Sequence, residues 1–125
     1  MPSTNLLFYQ DDKGNVPVLE WLDELQARDR KAWARCRARI DRLAEAGHEL
    51  RRPEADYLRD GVYELRAKQG HVQYRILYFF HGRNIAILAH AVTKERVAVD
   101  PADIDRAVQR KDKFVRAPQK HTFTE

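Results

Sequence analysis

Two arginines and a histidine, Arg66, Arg75 and His90, fall mid-strand in the stretch from Gly61 to Lys94, where apolar or neutral residues are usual. Glu64 lies two residues before the first arginine, and Lys94 closes the stretch. Charged side chains in a small sheet are costly unless something outside or beside the sheet compensates them. Glycines at 70 and 82 predict two tight hairpins, each with glycine in the first turn position. With two-residue turns, position 66 lies opposite 75 and 75 opposite 90, so Arg66, Arg75 and His90 form a row across three strands. Any other even-length turn keeps them on one face with an offset, and an odd-length turn breaks the parity. Two directly opposed arginines repel. Either an anion such as an RNA phosphate relieves them, or Glu64 neutralises them in a salt-bridge patch.

The elements that must hold this row read as β-α-α-β-β-β-α. Residues 6–9 are a short apolar run, followed by a turn-like segment at 11–15. Pro17 suits a helix start, with Val18, Trp21, Leu22 and Leu25 at helical spacing. Asp29 caps a second helix that runs to about Ala46, with Gly47 as its stop and Trp33, Cys36, Ile40, Leu43 and Ala44 as its apolar stripe. Residues 48–60, polar and containing Pro53, read as a connecting loop. Strands follow at roughly 62–67, 72–80 and 84–92, then a helix with Asp100 as cap and Pro101 at its first position. The predicted fold is an α+β domain with an N-terminal strand, a helical hairpin on one sheet face, three consecutive antiparallel strands and a C-terminal helix. It spans 1–125, with a core at about 6–110 and a loosely held basic tail at 111–125. Alternation assigns Tyr63, Leu65, Tyr74, Ile76, Tyr78, Ile85, Ile87 and Ala89 to the helix-covered face. Glu64, Arg66, Gln73, Arg75, Leu77, Phe79, Leu88 and His90 fall on the other, expected to be free of helices.

Charge follows the same division. Residues 1–58 hold 10 Lys/Arg against 11 Asp/Glu, and residues 59–125 hold 13 against 8, so the net +4 resides in the sheet half. That polarity favours a polyanionic partner. No apolar run reaches the length of a membrane span and the N-terminus lacks a charged-then-apolar leader, so a cytoplasmic protein is expected. One cysteine, Cys36, excludes an internal disulfide, and its place on the Trp33/Ile40 stripe marks a core thiol. His48, His71, His81 and His121 match no zinc spacing, so neither metal nor cofactor is expected. Lys31, Arg35, Arg39 and Arg42 recur along one side of the second helix, either as RNA-phosphate contacts or as a solvated face balanced by Asp41 and Glu45. Phe79 shares the arginine face, where it either stacks on a nucleobase or packs beneath the last helix.

The segments 61–66 (GVYELR), 74–80 (YRILYFF) and 87–91 (ILAHA) through Lys94, followed by Pro101, Ile104 and Ala107, resemble the RelE/ParE superfamily of bacterial toxins, in its HigB-like, phage-derived branch. Residues 18–22 (VLEWL) and 43–47 (LAEAG) fit that family's helical hairpin, and in order and spacing the likeness covers about residues 6–110. The resemblance implies the toxin of a toxin–antitoxin pair, silenced by a cognate antitoxin. Its implied activity is metal-independent cleavage of mRNA in the ribosomal A site, with the RNA's own 2′-hydroxyl as nucleophile. Such chemistry needs a base, positive charge on the phosphate and an acid for the leaving 5′ oxygen. Under the resemblance Arg66 and Arg75 grip the phosphate, His90 is the acid/base and Lys94 adds charge. Glu64 is a second base or an arginine partner. The chain departs from the family pattern at Glu95, where relatives carry a second lysine, and lacks a C-terminal tyrosine. Two other classes stay open: a non-enzymatic toxin that inhibits DNA gyrase by contact, and a non-catalytic RNA- or ribosome-binding module.

Overall fold

A computed structural model describes residues 3–94 and 98–125, with Lys94 described by its backbone alone. Strand β1 (Asn5–Tyr9) leads into helix α1 (Pro17–Arg28) and helix α2 (Arg30–Ala46). Strands β2 (Ala55–Arg59), β3 (Val62–Gln69), β4 (Val72–His81) and β5 (Ile85–Lys94) follow, then helix α3 (Pro101–Arg116) and a two-residue strand β6 (Thr122–Phe123). The six strands form one sheet in the order β2-β3-β4-β5-β1-β6. It is a mixed sheet, because β1 runs parallel to β5 while every other pair is antiparallel.

Local chemistry fixes the helical hairpin. Pro17 occupies the first turn of α1, and Glu20 accepts the Val16 N–H at 3.1 Å. Asp29 accepts the Ala32 N–H at 3.1 Å and so caps α2. Gly47 ends α2 with φ +54°, in the left-handed region that favours glycine, and a β-carbon there would force the Thr4 hydroxyl to move. Val18, Leu22, Leu25, Ala32, Cys36, Ile40 and Leu43 pack on Leu65, Tyr74, Ile76, Tyr78 and Leu88. Cys36 is fully buried, which pushes its thiol up to about 12.

Four features correct the expected layout. The segment 48–60 is not all loop: β2 pairs with β3 through the two-residue turn Asp60-Gly61, both at positive φ. Asp-Gly is the preferred chemistry for that turn, and Pro53 sits ahead of the strand where it costs no ladder bond. The supposed tail is structured. Helix α3 runs to Arg116, Phe114 is buried, and His121 stacks on Tyr9 at 5.3 Å and contacts Gln10 O through Nδ1 at 2.8 Å.

The third correction concerns α3, which lies on the sheet face opposite the hairpin. Its Ala107 packs with Val62 and Leu77, and its Phe114 with Phe79, Ile87 and Ala89. The arginine face is therefore partly helix-covered. The fourth concerns register. The β3–β4 hairpin has the expected two-residue turn and sets Arg66 opposite Arg75. The β4–β5 loop has three residues, since His81 pairs with Ile85, and a bulge follows between Leu77 and Tyr78. The odd loop moves Ile85 and Ile87 onto the arginine face and Leu88 under the hairpin. The extra residue then restores parity, and His90 pairs with Leu77, not Arg75.

Candidate functional site

Opposite residues on β3 and β4 bring the two guanidinium side chains to the same face, where opposed β-carbons lie about 5 Å apart. Their surroundings differ. Arg75 is 2% exposed, and its Nε lies 2.8 Å from Glu64 Oε1. Burial pushes the Glu64 carboxyl above its usual range even though Arg75 and Arg66 pull it down. Burial likewise lowers Arg75 despite the carboxylate beside it. Desolvation thus outweighs the attraction for both members, as it can when an ion pair is enclosed. Arg66 is only half-buried, and its guanidinium makes no hydrogen bond or ion pair among the described residues.

These side chains line a groove of about 270 Å³ bounded by Arg39, Pro53, Arg66, Lys68, Gln73 and Arg75. Its wall from α2 is anchored by Arg39, whose Nε donates to Arg66 O at 2.8 Å and whose Nη1 meets Glu54 Oε2 at 3.1 Å. Arg42 also grips Glu54, at 3.0 and 3.3 Å, and this pairing holds the Glu54 carboxyl below its usual range. Glu54 and Glu64 therefore engage Arg39, Arg42 and Arg75. Arg66 and Lys68 remain as the cations these acids do not bind. Arg35 is tied to Gln69 Oε1 through its Nε, and Lys31 is exposed on α2. The basic stripe on α2 thus divides: its C-terminal part builds the groove wall and its N-terminal part faces solvent.

His90 lies on the same face but under α3. Its Nε2 is 2.9 Å from Asp103 Oδ1, and its Nδ1 is 3.3 Å from Arg110 Nη1. Both contacts are satisfied at once by a neutral ring that donates through Nε2 and accepts through Nδ1. Burial lowers its pKa, Asp103 opposes that, and Arg110 and Arg106 reinforce it. With both nitrogens engaged, the ring is a brace between β5 and α3, not the open acid/base expected from sequence. Phe79 is 1% exposed and meets Phe114 edge-on at 5.5 Å, so it has no open face for a base. It takes the packing alternative beneath the last helix. The Lys94 backbone pairs with Gln73 at the groove, while its side chain and Glu95 lie outside the described residues. Among the described residues, no three His, Cys, Asp or Glu side chains gather as a metal site. None of the described helices is long and apolar enough to cross a membrane.

Sequence reasoning missed Arg110, which holds His90 from α3 and donates to Ala89 O at 2.7 Å. The signal was present: Asp103, Arg106, Arg110 and Lys113 follow the 3-4-3 spacing of one helix side, but the last of them fell in the presumed tail.

A mixed sheet between a helical hairpin and a lone C-terminal helix, with a cationic groove bounded by α2, β3 and β4, is a scaffold of the RelE/ParE-like toxin kind. Residues 20–112 match the family model described as phage derived protein Gp49-like (DUF891), and the chain belongs to that family, within the RelE/ParE-like toxin superfamily. The Gp49-like family is one of toxin–antitoxin toxins. No curated protein matches the chain.

Proposed function

We propose that this protein is the toxin of a type II toxin–antitoxin pair and acts as a metal-independent endoribonuclease on ribosome-bound mRNA. The observation that carries the reading is the half-buried Arg66 guanidinium, unpaired among the described residues and set opposite Arg75 in a cationic groove. In this reading the scissile phosphate enters the groove and accepts hydrogen bonds from Arg66, with Arg75 behind it as fixed positive charge. The substrate's 2′ oxygen attacks phosphorus while the P–O5′ bond breaks, leaving a 2′,3′-cyclic phosphate and a 5′-hydroxyl. The 2′ proton passes to Glu64, made more basic by burial, and Lys94 serves the departing 5′ oxygen. His90 is a positioning residue that holds α3 against β5.

A cognate antitoxin completes the proposal. Strand β2 is an outer strand of the sheet, and a strand added along it is one way for a partner to cover the neighbouring basic face. The site of action is the cytoplasm, where ribosomes are.

The enclosed Glu64–Arg75 pair and the engaged His90 favour a second reading, a toxin that acts by protein contact, as gyrase inhibitors of the ParE kind do. Purified protein added to ribosomes programmed with a defined mRNA separates the two. Codon-phased cuts with cyclic-phosphate ends support the nuclease. Intact mRNA, together with DNA breaks in expressing cells, overturns it in favour of gyrase.

A further inference from the structure

A second cationic pocket lies where α3 faces β1 and the loop after it. Its volume is about 240 Å³, and its walls are Tyr9, Asp11, Arg106, Gln109, Arg110 and Lys113. Arg106 and Arg110 are one helical turn apart, and like charges at that spacing repel. Two neighbouring acids are already committed. Asp11 accepts the N–H groups of Lys13 and Asn15 at 3.0 and 2.8 Å in its own loop, and Asp12 pairs with Lys113 Nζ at 2.7 Å. Neither neutralises Arg106, which is exposed and makes no ion pair among the described residues.

Arg110 is held in place. Its Nη1 donates to Ala89 O at 2.7 Å and lies 3.3 Å from His90 Nδ1, and its Cζ lies 5.7 Å from the centre of the Tyr9 ring. These contacts use one terminal nitrogen. Nε and Nη2 make no hydrogen bond among the described residues, so a fixed fork of donors remains for a ligand. Burial and the nearby Arg106 outweigh the support that Tyr9 and Asp11 give the Arg110 charge, so an anion here would relieve the remaining cost.

A short path along the sheet relates this pocket to the groove already described. His90, which touches Arg110, pairs across the sheet with Leu77, and Leu77 lies one same-face step, roughly 7 Å, along β4 from Arg75. We propose that Arg106 and Arg110 bind a second phosphate of the RNA strand whose scissile phosphate lies at Arg66, so that one strand crosses the middle of α3. The RNA identity of the ligand rests on the nuclease reading; the site itself does not.

Binding, not cleavage, tests it. A short fluorescent single-stranded oligoribonucleotide is titrated into wild-type protein, Arg106→Ala and Arg66→Ala across a salt series. Arg106 is exposed, so its alanine variant should fold, as circular dichroism will verify. Loss of one phosphate contact lowers the slope of log K against log salt by about 0.7 for a single strand. The wild-type advantage over Arg106→Ala then shrinks by roughly 2.6-fold between about 50 and 200 mM salt. That result supports the site. An unchanged affinity and slope in Arg106→Ala, while Arg66→Ala weakens binding, overturns it, as does a wild-type protein that binds no RNA. Salt-sensitive binding through Arg106 in a protein that leaves ribosomal mRNA intact would retain this site and discard the nuclease reading.

Discussion

Replacing Arg75 with alanine should unfold this protein more readily than it disarms it. The guanidinium and Glu64 have side chains 3% and 9% exposed and lie 2.8 Å apart. Removing one member of such a pair strands the other charge in a low-dielectric site, at a cost of about 3–5 kcal/mol. In a domain of this size the melting temperature then falls on the order of 10–20 °C. The stranded carboxyl will relieve the cost by taking up a proton. Its folded pKa, already raised by burial, rises further above the unfolded value once Arg75 is gone. Stability gained from that protonation is present at low pH and lost as pH rises through the folded value. Arg75→Ala should therefore be more stable near pH 5 than near pH 8, once the change in wild type over the same range is subtracted. Glu64→Gln combined with Arg75→Ala removes both charges and should recover part of the loss. Urea denaturation followed by circular dichroism at the two pH values measures all of this. An Arg75→Ala variant as stable as wild type at both would refute the enclosed-pair reasoning. It follows that lost toxicity in Arg75→Ala is ambiguous evidence for catalysis.

The His90 brace predicts a second pH effect. Its folded pKa is depressed, so its contribution is fully present above the unfolded value of about 6.5 and lost as pH falls toward the folded one. A His90→Gln variant should flatten that part of the urea-midpoint profile, and an unchanged profile counts against the brace. Phe114→Ala should cost about 3–5 kcal/mol by opening the contact with Phe79 and Ile87, a loss that calorimetry will detect. Cys36, with its thiol pushed up to about 12, should resist a thiol reagent in native buffer and react only in denaturant. Rapid native labelling would contradict its burial.

The helical hairpin, the three long strands and the facing of Arg66 with Arg75 were legible because each has a local cause. Asp29 and Gly47 punctuate α2, and the Gly70-His71 turn fixes one register. What escaped has non-local or competing causes. The bulge at Ala89 answers the three-residue loop at 82–84, and neither is decidable from alternation alone. Strand β2 was obscured by Pro53, although Asp60-Gly61 carried the hairpin signal. The end of α3 was hidden by its basic surface, although Phe114 continues the spacing set by Ile104 and Ala107. The burial of Arg75 and the enclosure of His90 depend on which sheet face α3 chooses. That choice is a packing outcome, and no single residue announces it.

Arg66→Ala provides the most direct test of the central claim, because the side chain is half-buried and makes no ion pair or hydrogen bond among the described residues. Its melting temperature should stay near that of wild type. The variant and wild type are to be compared on programmed ribosomes, with 5′ ends of the mRNA mapped at matched concentrations of folded protein. Codon-phased cuts should appear with wild type and fall at least tenfold with Arg66→Ala, the loss of about 1.4 kcal/mol of transition-state stabilisation. Cuts of equal intensity from a folded Arg66→Ala protein would contradict that claim.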